Sequence, residues 1–166
     1  MTRTIHSAPL PAAVSDRVQK QQITRVRDPY DAFTHGLGAV LSVLSGAALI
    51  VLAAYHGAGA LDLVSLAVYT ASMTALYLAS CLYHCVNTSI RGRLFLRKLD
   101  HSMIYVLIAG TYTPVCLSVL GGALGWSLFG VIWGLAVVGV IVTLCWLDAP
   151  RILTTMFYVG MGWIAV

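Results

Sequence analysis

The sequence has no glutamate, and only 10% of its 166 residues are charged. An ordinary soluble domain is about 25% charged and roughly 45–50% apolar, whereas 59% of this chain is hydrophobic. So short a chain leaves much of its surface exposed when it folds in water, and so few charges cannot cover that surface. The scarcity of charge excludes a soluble globular enzyme, a nucleic-acid-binding domain and a disordered chain. Paired cysteine spacing is also missing. Cys81, Cys85, Cys116 and Cys145 all fall inside apolar runs, which excludes a disulfide scaffold and leaves them as small buried hydrophobes. Residues Met1 to Arg27 lack an apolar core of signal-peptide length, so no cleaved signal is expected. The class that remains is an all-α integral membrane protein.

Long apolar runs are abundant. Spanning ~30 Å of hydrocarbon takes about 20 helical residues, and runs at about 33–55, 63–85, 99–120 and 126–147 each meet that length. A fifth apolar stretch, 154–166, is still running at Val166. Its thirteen residues reach about 20 Å, short of the bilayer core, so the expectation is four complete helices plus a truncated fifth. The domain reading is a polar, basic arm over residues 1–30 and a transmembrane helical bundle over 31–166. Within the arm, Ala12 to Arg27 spaces Val14, Val18 and Ile23 loosely on one helix face, compatible with a leaflet-bound helix or a flexible tail. Turns are expected at His56–Gly59, Gly121–Gly125 and Asp148–Arg151, and a basic loop over Asn87 to Lys98. Trp126 and Trp146 bracket the fourth run as interfacial anchors would. Gly130, Gly134 and Gly139 suggest close helix packing.

Charge asymmetry gives the topology. Arg3, Arg17, Lys20, Arg25 and Arg27 precede the first helix, Arg91, Arg93, Arg97 and Lys98 separate the second from the third, and Arg151 precedes the fifth. The two other connections hold no Lys or Arg. All ten basic residues therefore share one side, which the positive-inside rule makes cytoplasmic. The expected location is the plasma membrane, with the N-terminus inside and membrane lipids as partners; nucleic acid is not a partner.

That topology also gathers the unusual polar residues at one depth. Asp31 and His35 lie where the first helix enters, Ser80 and His84 where the second returns, and Asp100 and His101 where the third starts. Ionisable groups in a span cost about 2.5–3.5 kcal/mol on insertion scales and usually face a bundle interior or cavity. Asp31 and His35 are one helical turn apart, as are Ser80 and His84, so each pair shares a face. Imidazoles converging from several helices suit a metal such as zinc. The set best placed for chemistry is His84 as direct ligand, with Ser80 and Asp100 beside it, Asp100 acting on the metal through water. Asp31 could instead cap or snorkel, His35 could be an interior histidine bonded to a carbonyl, and His101 points away from Asp100 on a helix. His6 and His56 read as surface residues. Cys81 could supply a thiolate, but Cys85 reads as lying on a different face, which gives a soft-metal cysteine site little support.

The segments Asp31-Ala32-Phe33-Thr34-His35-Gly36, Ser80-Cys81-Leu82-Tyr83-His84, Lys98-Leu99-Asp100-His101-Ser102 and Ala109-Gly110-Thr111-Tyr112-Thr113-Pro114 resemble the bacterial hemolysin III family. That family is related to the progestin and adiponectin receptors and, more distantly, to alkaline ceramidases. The resemblance covers roughly Asp28 to Val166. It implies seven helices and a zinc ion near the cytoplasmic face, held at the position of His84 and by two further histidines of an H-x-x-x-H motif expected beyond Val166. Asp100 and Ser80 then serve the metal's water or the groups around it. It further implies a zinc-dependent hydrolase of lipid amides, with a membrane-damaging protein or a receptor-like regulator of membrane composition as alternatives.

Overall fold

The computed structural model describes residues 26–146 and 150–164. His6, the Val14, Val18 and Ile23 helix face, and Asp148 and Ala149 of the expected turn lie outside the described residues. Among the described residues five α-helices follow one another: α1 (Pro29–Tyr55), α2 (Ala60–Cys85), α3 (Ile90–Pro114), α4 (Gly122–Cys145) and α5 (Arg151–Trp163). Four spans are long and apolar enough to cross a membrane, α3 counting with its extension to Leu120, and α5 is a shorter apolar helix. The chain is a multi-pass, all-helical membrane protein.

Local chemistry sets the helix ends. Pro29 opens α1, where its missing N–H costs nothing, and Gly57 at φ +80° follows its end. The Asp62 carboxylate accepts the Gly59 N–H at 3.1 Å to start α2. The Ser89 hydroxyl accepts the Gly92 N–H at 3.3 Å to start α3. The expected basic loop over Asn87–Lys98 is thereby confined to a short connection, and Arg91, Arg93, Arg97 and Lys98 ride on the first turns of α3. Lys98 returns to the bundle, its ammonium donating to the Leu144 carbonyl at 2.5 Å, where a cation suits the negative end of α4. At the other end of α3, Pro114 lacks the N–H needed for a regular ladder. The backbone widens over Val115–Leu120, with the Gly121 N–H bonding the Cys116 carbonyl five residues back at 3.0 Å. Gly121 and Gly122, at φ +59° and +54°, then reverse the chain into α4.

Aliphatic side chains gain nothing by leaving lipid for protein, so these helices pack through small residues and hydroxyls. The buried positions of α1 are Ala32, Ala39, Ser42 and Gly46, and those of α2 include Ser65, Ser72 and Ala79, a heptad apart. Ser42 and Thr74 hydroxyls meet at 2.9 Å between α1 and α2, and Ser65 and Ser118 hydroxyls at 3.1 Å between α2 and the α3 extension. Between α3 and α4, the indole N–H of Trp133 donates to the Thr113 hydroxyl at 3.1 Å. The Tyr112 hydroxyl ties α3 to the Gly162 carbonyl of α5 at 2.7 Å. Of the three α4 glycines expected to pack closely, only Gly139 does so, beneath the Tyr105 ring; the Cβ positions of Gly130 and Gly134 meet open space. Trp126 and Trp146 are both about half exposed, as interfacial anchors are.

A Cβ placed on Gly110 would fall on the Ser72 side chain, so Gly110→Ala should lower thermal stability in detergent by about 1–3 kcal/mol, as overpacking does. Ser72→Ala should recover part of that loss in the double variant. Gly134→Ala, with nothing to meet, should be neutral or slightly stabilising, because alanine is the better helix former by up to about 1 kcal/mol. Equal losses at Gly110 and Gly134 would contradict the packing described.

Candidate metal centre

The start of α1, the end of α2 and the start of α3 lie at the same end of the bundle, and α2 stands between the other two. His84 sits in the last turn of α2, its side chain 20% exposed. Its Nδ1 lies 3.1 Å from a carboxylate oxygen of Asp28, and the Asp28 backbone N–H donates to the His84 carbonyl, also at 3.1 Å. One residue thus fastens both the main chain and the ring of His84 to the approach of α1. Asp31, 63% exposed, stands 3.9 Å from the same Nδ1. Asp28, Asp31 and His84 each offer a ligand atom, and these atoms lie within 4.8 Å of one another.

The Asp28 carboxyl is held below the usual carboxylate range, first by the His84 hydrogen bond and next by the Arg27 guanidinium, whose Nε donates to it at 2.7 Å. An ionised carboxylate can only accept, so the proton between the two groups resides on His84 Nδ1. That leaves Nε2 as the ring nitrogen turned away from Asp28, the arrangement by which a carboxylate orients a metal-binding histidine. Arg27 is fixed in turn by lying 4.3 Å from the centre of the Tyr83 ring.

The remaining expected residues divide. His35 stacks on His84, ring centroids 5.7 Å apart and planes 4° from parallel, and its buried Nδ1 has no hydrogen-bond partner. Ser80 is buried, and its hydroxyl is within reach of the Asp100 carboxylate, which is 18% exposed. His101 turns outward. Its side chain is 43% exposed, and its Nδ1 bonds the Arg97 carbonyl at 2.9 Å while standing 3.5 Å from Asp100. The structure therefore gathers His84, His35 and Asp31 into one group, with Ser80 and Asp100 next to it, and leaves His101 on the rim. Asp28 was absent from the sequence-derived set. The spacing Asp28-x-x-Asp31 at a Pro-started helix reads as capping, and only the fold shows that the carboxylate bonds an imidazole 56 residues away.

These features define a class: a multi-pass helical membrane protein with a histidine–carboxylate site at one end of its bundle. Residues 23–166 match the family model described as haemolysin-III related, and the chain belongs to that family. It is 41% identical over 136 residues to the hemolysin-3 homolog of Bacillus subtilis (strain 168) and 43% identical over 136 residues to hemolysin-3 of Bacillus cereus. Both matches cover 82% of this chain but only 63% and 61% of those proteins, so the matched region spans less than two thirds of either relative. No solved structure matches the chain.

Replacing Asp28 by Ala should release His84 from its single tautomer, detected as a shift of the imidazole ¹⁵N resonances toward a Nδ1/Nε2 mixture. Arg27→Ala should shift them less, because the carboxylate remains. Unchanged His84 resonances in Asp28→Ala would show that the 3.1 Å contact does not orient the ring.

Proposed function

We propose that the whole protein is a zinc-dependent hydrolase of lipid amides, working at the cytoplasmic side of the plasma membrane with its N-terminus inside. The observation that carries this reading is the placement of an oriented imidazole beside a Ser80–Asp100 pair in an otherwise apolar bundle. The donor chemistry fits zinc as part of a ligand set: His84 presents Nε2, and Asp28 orients it from the other ring nitrogen. A catalytic zinc takes about three protein ligands. In this reading His84 is one, and further histidines of the kind the family resemblance implies complete the set. Zinc there supplies Lewis acidity toward the amide carbonyl and makes water nucleophilic near neutral pH.

The chain's own residues do the rest. Asp100 takes a proton from the attacking water onto a carboxylate oxygen and passes it to the departing amine nitrogen. Ser80 holds that carboxylate in place, and Asp28 keeps His84 from turning. An apolar cleft of about 200 Å³, lined by Tyr105, Gly139, Val142, Leu153, Thr154 and Phe157, offers an aliphatic tail a site among α3, α4 and α5. The placement of all ten basic residues at one side of the topology supports the cytoplasmic orientation.

The relatives' names favour a second reading, membrane damage. Against it, apart from Asp62 capping the far end of α2, the Asp and His side chains described within the spans gather near one end instead of lining a helix from end to end, as a water-filled path requires.

With the whole protein in detergent, His84→Ala should lower bound zinc at least tenfold. Asp100→Asn should retain the metal and lose more than about 100-fold in amide hydrolysis, the scale of a general acid–base contribution. Unchanged zinc in His84→Ala would remove that residue from the site. Dye leakage from liposomes that is indifferent to His84→Ala, without amide hydrolysis, would favour membrane damage.

A further inference from the structure

The sequence suggested that Cys81 and Cys85 occupy different faces, and the structure corrects this. One turn apart on α2, their sulfurs lie 3.8 Å from each other, and the Cys81 thiol is aimed by the Ala32 carbonyl of α1 at 3.4 Å. Both are free thiols and both are partly exposed. Such a pair can close in two ways. A disulfide needs Cβ atoms about 3.5–4.5 Å apart, while one-turn neighbours on a helix hold theirs at about 5–6 Å, so direct oxidation would unwind the last turn of α2. A metal bridge asks for less. Two sulfur–metal bonds of about 2.3 Å in the near-linear geometry of a two-coordinate soft ion hold the sulfurs about 4.6 Å apart, which a small rotation of the two side chains from 3.8 Å reaches without moving the backbone.

We propose that Cys81 and Cys85 form a binding site for a soft monovalent cation of the copper(I) class. The choice of ion follows from what accompanies the sulfurs. Zinc wants four ligands. Among the described residues, the group of three or more potential metal ligands within mutual reach is Asp28, Asp31 and His84, which includes neither cysteine. Hard cations prefer oxygen, whereas a soft d¹⁰ ion selects thiolates and is satisfied by two of them. On binding, two S–H bonds break, two S–Cu bonds form, and two protons leave to water. No oxidation state changes, so no co-reactant is required. This site is separate from the zinc reading and does not rest on it, since His84 turns its Nδ1 to Asp28 and neither sulfur joins that group.

The test uses the full chain, reduced and kept anaerobic in detergent. Copper(I) delivered from a chromophoric chelator should bind at one equivalent per chain and protect Cys81 and Cys85 from maleimide at least tenfold, with the exposed Cys145 labelled as before. Mass spectrometry of the labelled peptides reads this on unmodified protein, so no variant has to fold. Cys81→Ser and Cys85→Ser should each abolish the equivalent, while Cys145→Ser and His84→Ala retain it. Protection at other cysteines, absence of protection, or one equivalent retained by either serine variant overturns the proposal. Loss of copper in His84→Ala would overturn it as well, by placing the ion in the histidine–carboxylate group.

Discussion

Inside a bilayer the hydrophobic effect does not drive helix against helix, so adhesion depends on how closely backbones approach and on which polar groups meet. In this chain the constraint falls on α2, which is flanked by α1 on one side and α3 on the other. Ser65, Ser72 and Ala79 keep its α3 face small enough for Gly110 to sit against Ser72, and Gly46 of α1 sits against Thr70. Because α2 is held on both sides, its last turn is a fixed platform. Ser80 and His84 on that turn can then be aimed by residues of neighbouring helices. A bulkier residue along either seam would separate the helices and move Asp28 and Asp100 away from their partners long before it touched the site itself.

The bundle was legible because the physics that requires apolar spans also writes them plainly. Each of the four long apolar runs became a helix, and the alternation of basic and non-basic connections agrees with Asp31, His84 and Asp100 lying toward one end. What the sequence does not disclose depends on how the helices meet. Arg91 to Lys98 looked like a loop because four charges lowered the local hydropathy, yet Ser89 caps a helix that carries them, and the long side chains leave the axis for the surface. Gly130, Gly134 and Gly139 looked equivalent, but which glycine meets a neighbour depends on the rotation of α4, which its nearly uniform apolar surface does not encode. Asp28 escaped notice because its partner is remote in sequence. No local rule connects it to His84.

The two ends of the bundle are joined by different kinds of contact. At the end far from the site close packing dominates: a Cβ on Gly125 would fall on the Cys116 carbonyl, beside the Ser65–Ser118 hydrogen bond. Contacts of this sort are close-packed, and packed interfaces move between discrete arrangements instead of yielding gradually. At the site end, the junctions are the Arg27–Asp28–His84 chain, the Lys98–Leu144 bond and the Asp100–Ser80 pair. Each of these polar bonds can be exchanged for a bond to water or to a ligand's oxygen at small net cost, because the group lost by one partner is replaced in kind. The arrangement therefore anchors the helices at one end and leaves the other able to admit a polar headgroup without unpacking the spans. Under the proposed reading, the polar head of a lipid amide would use that division by trading partners with these groups while the spans stay packed.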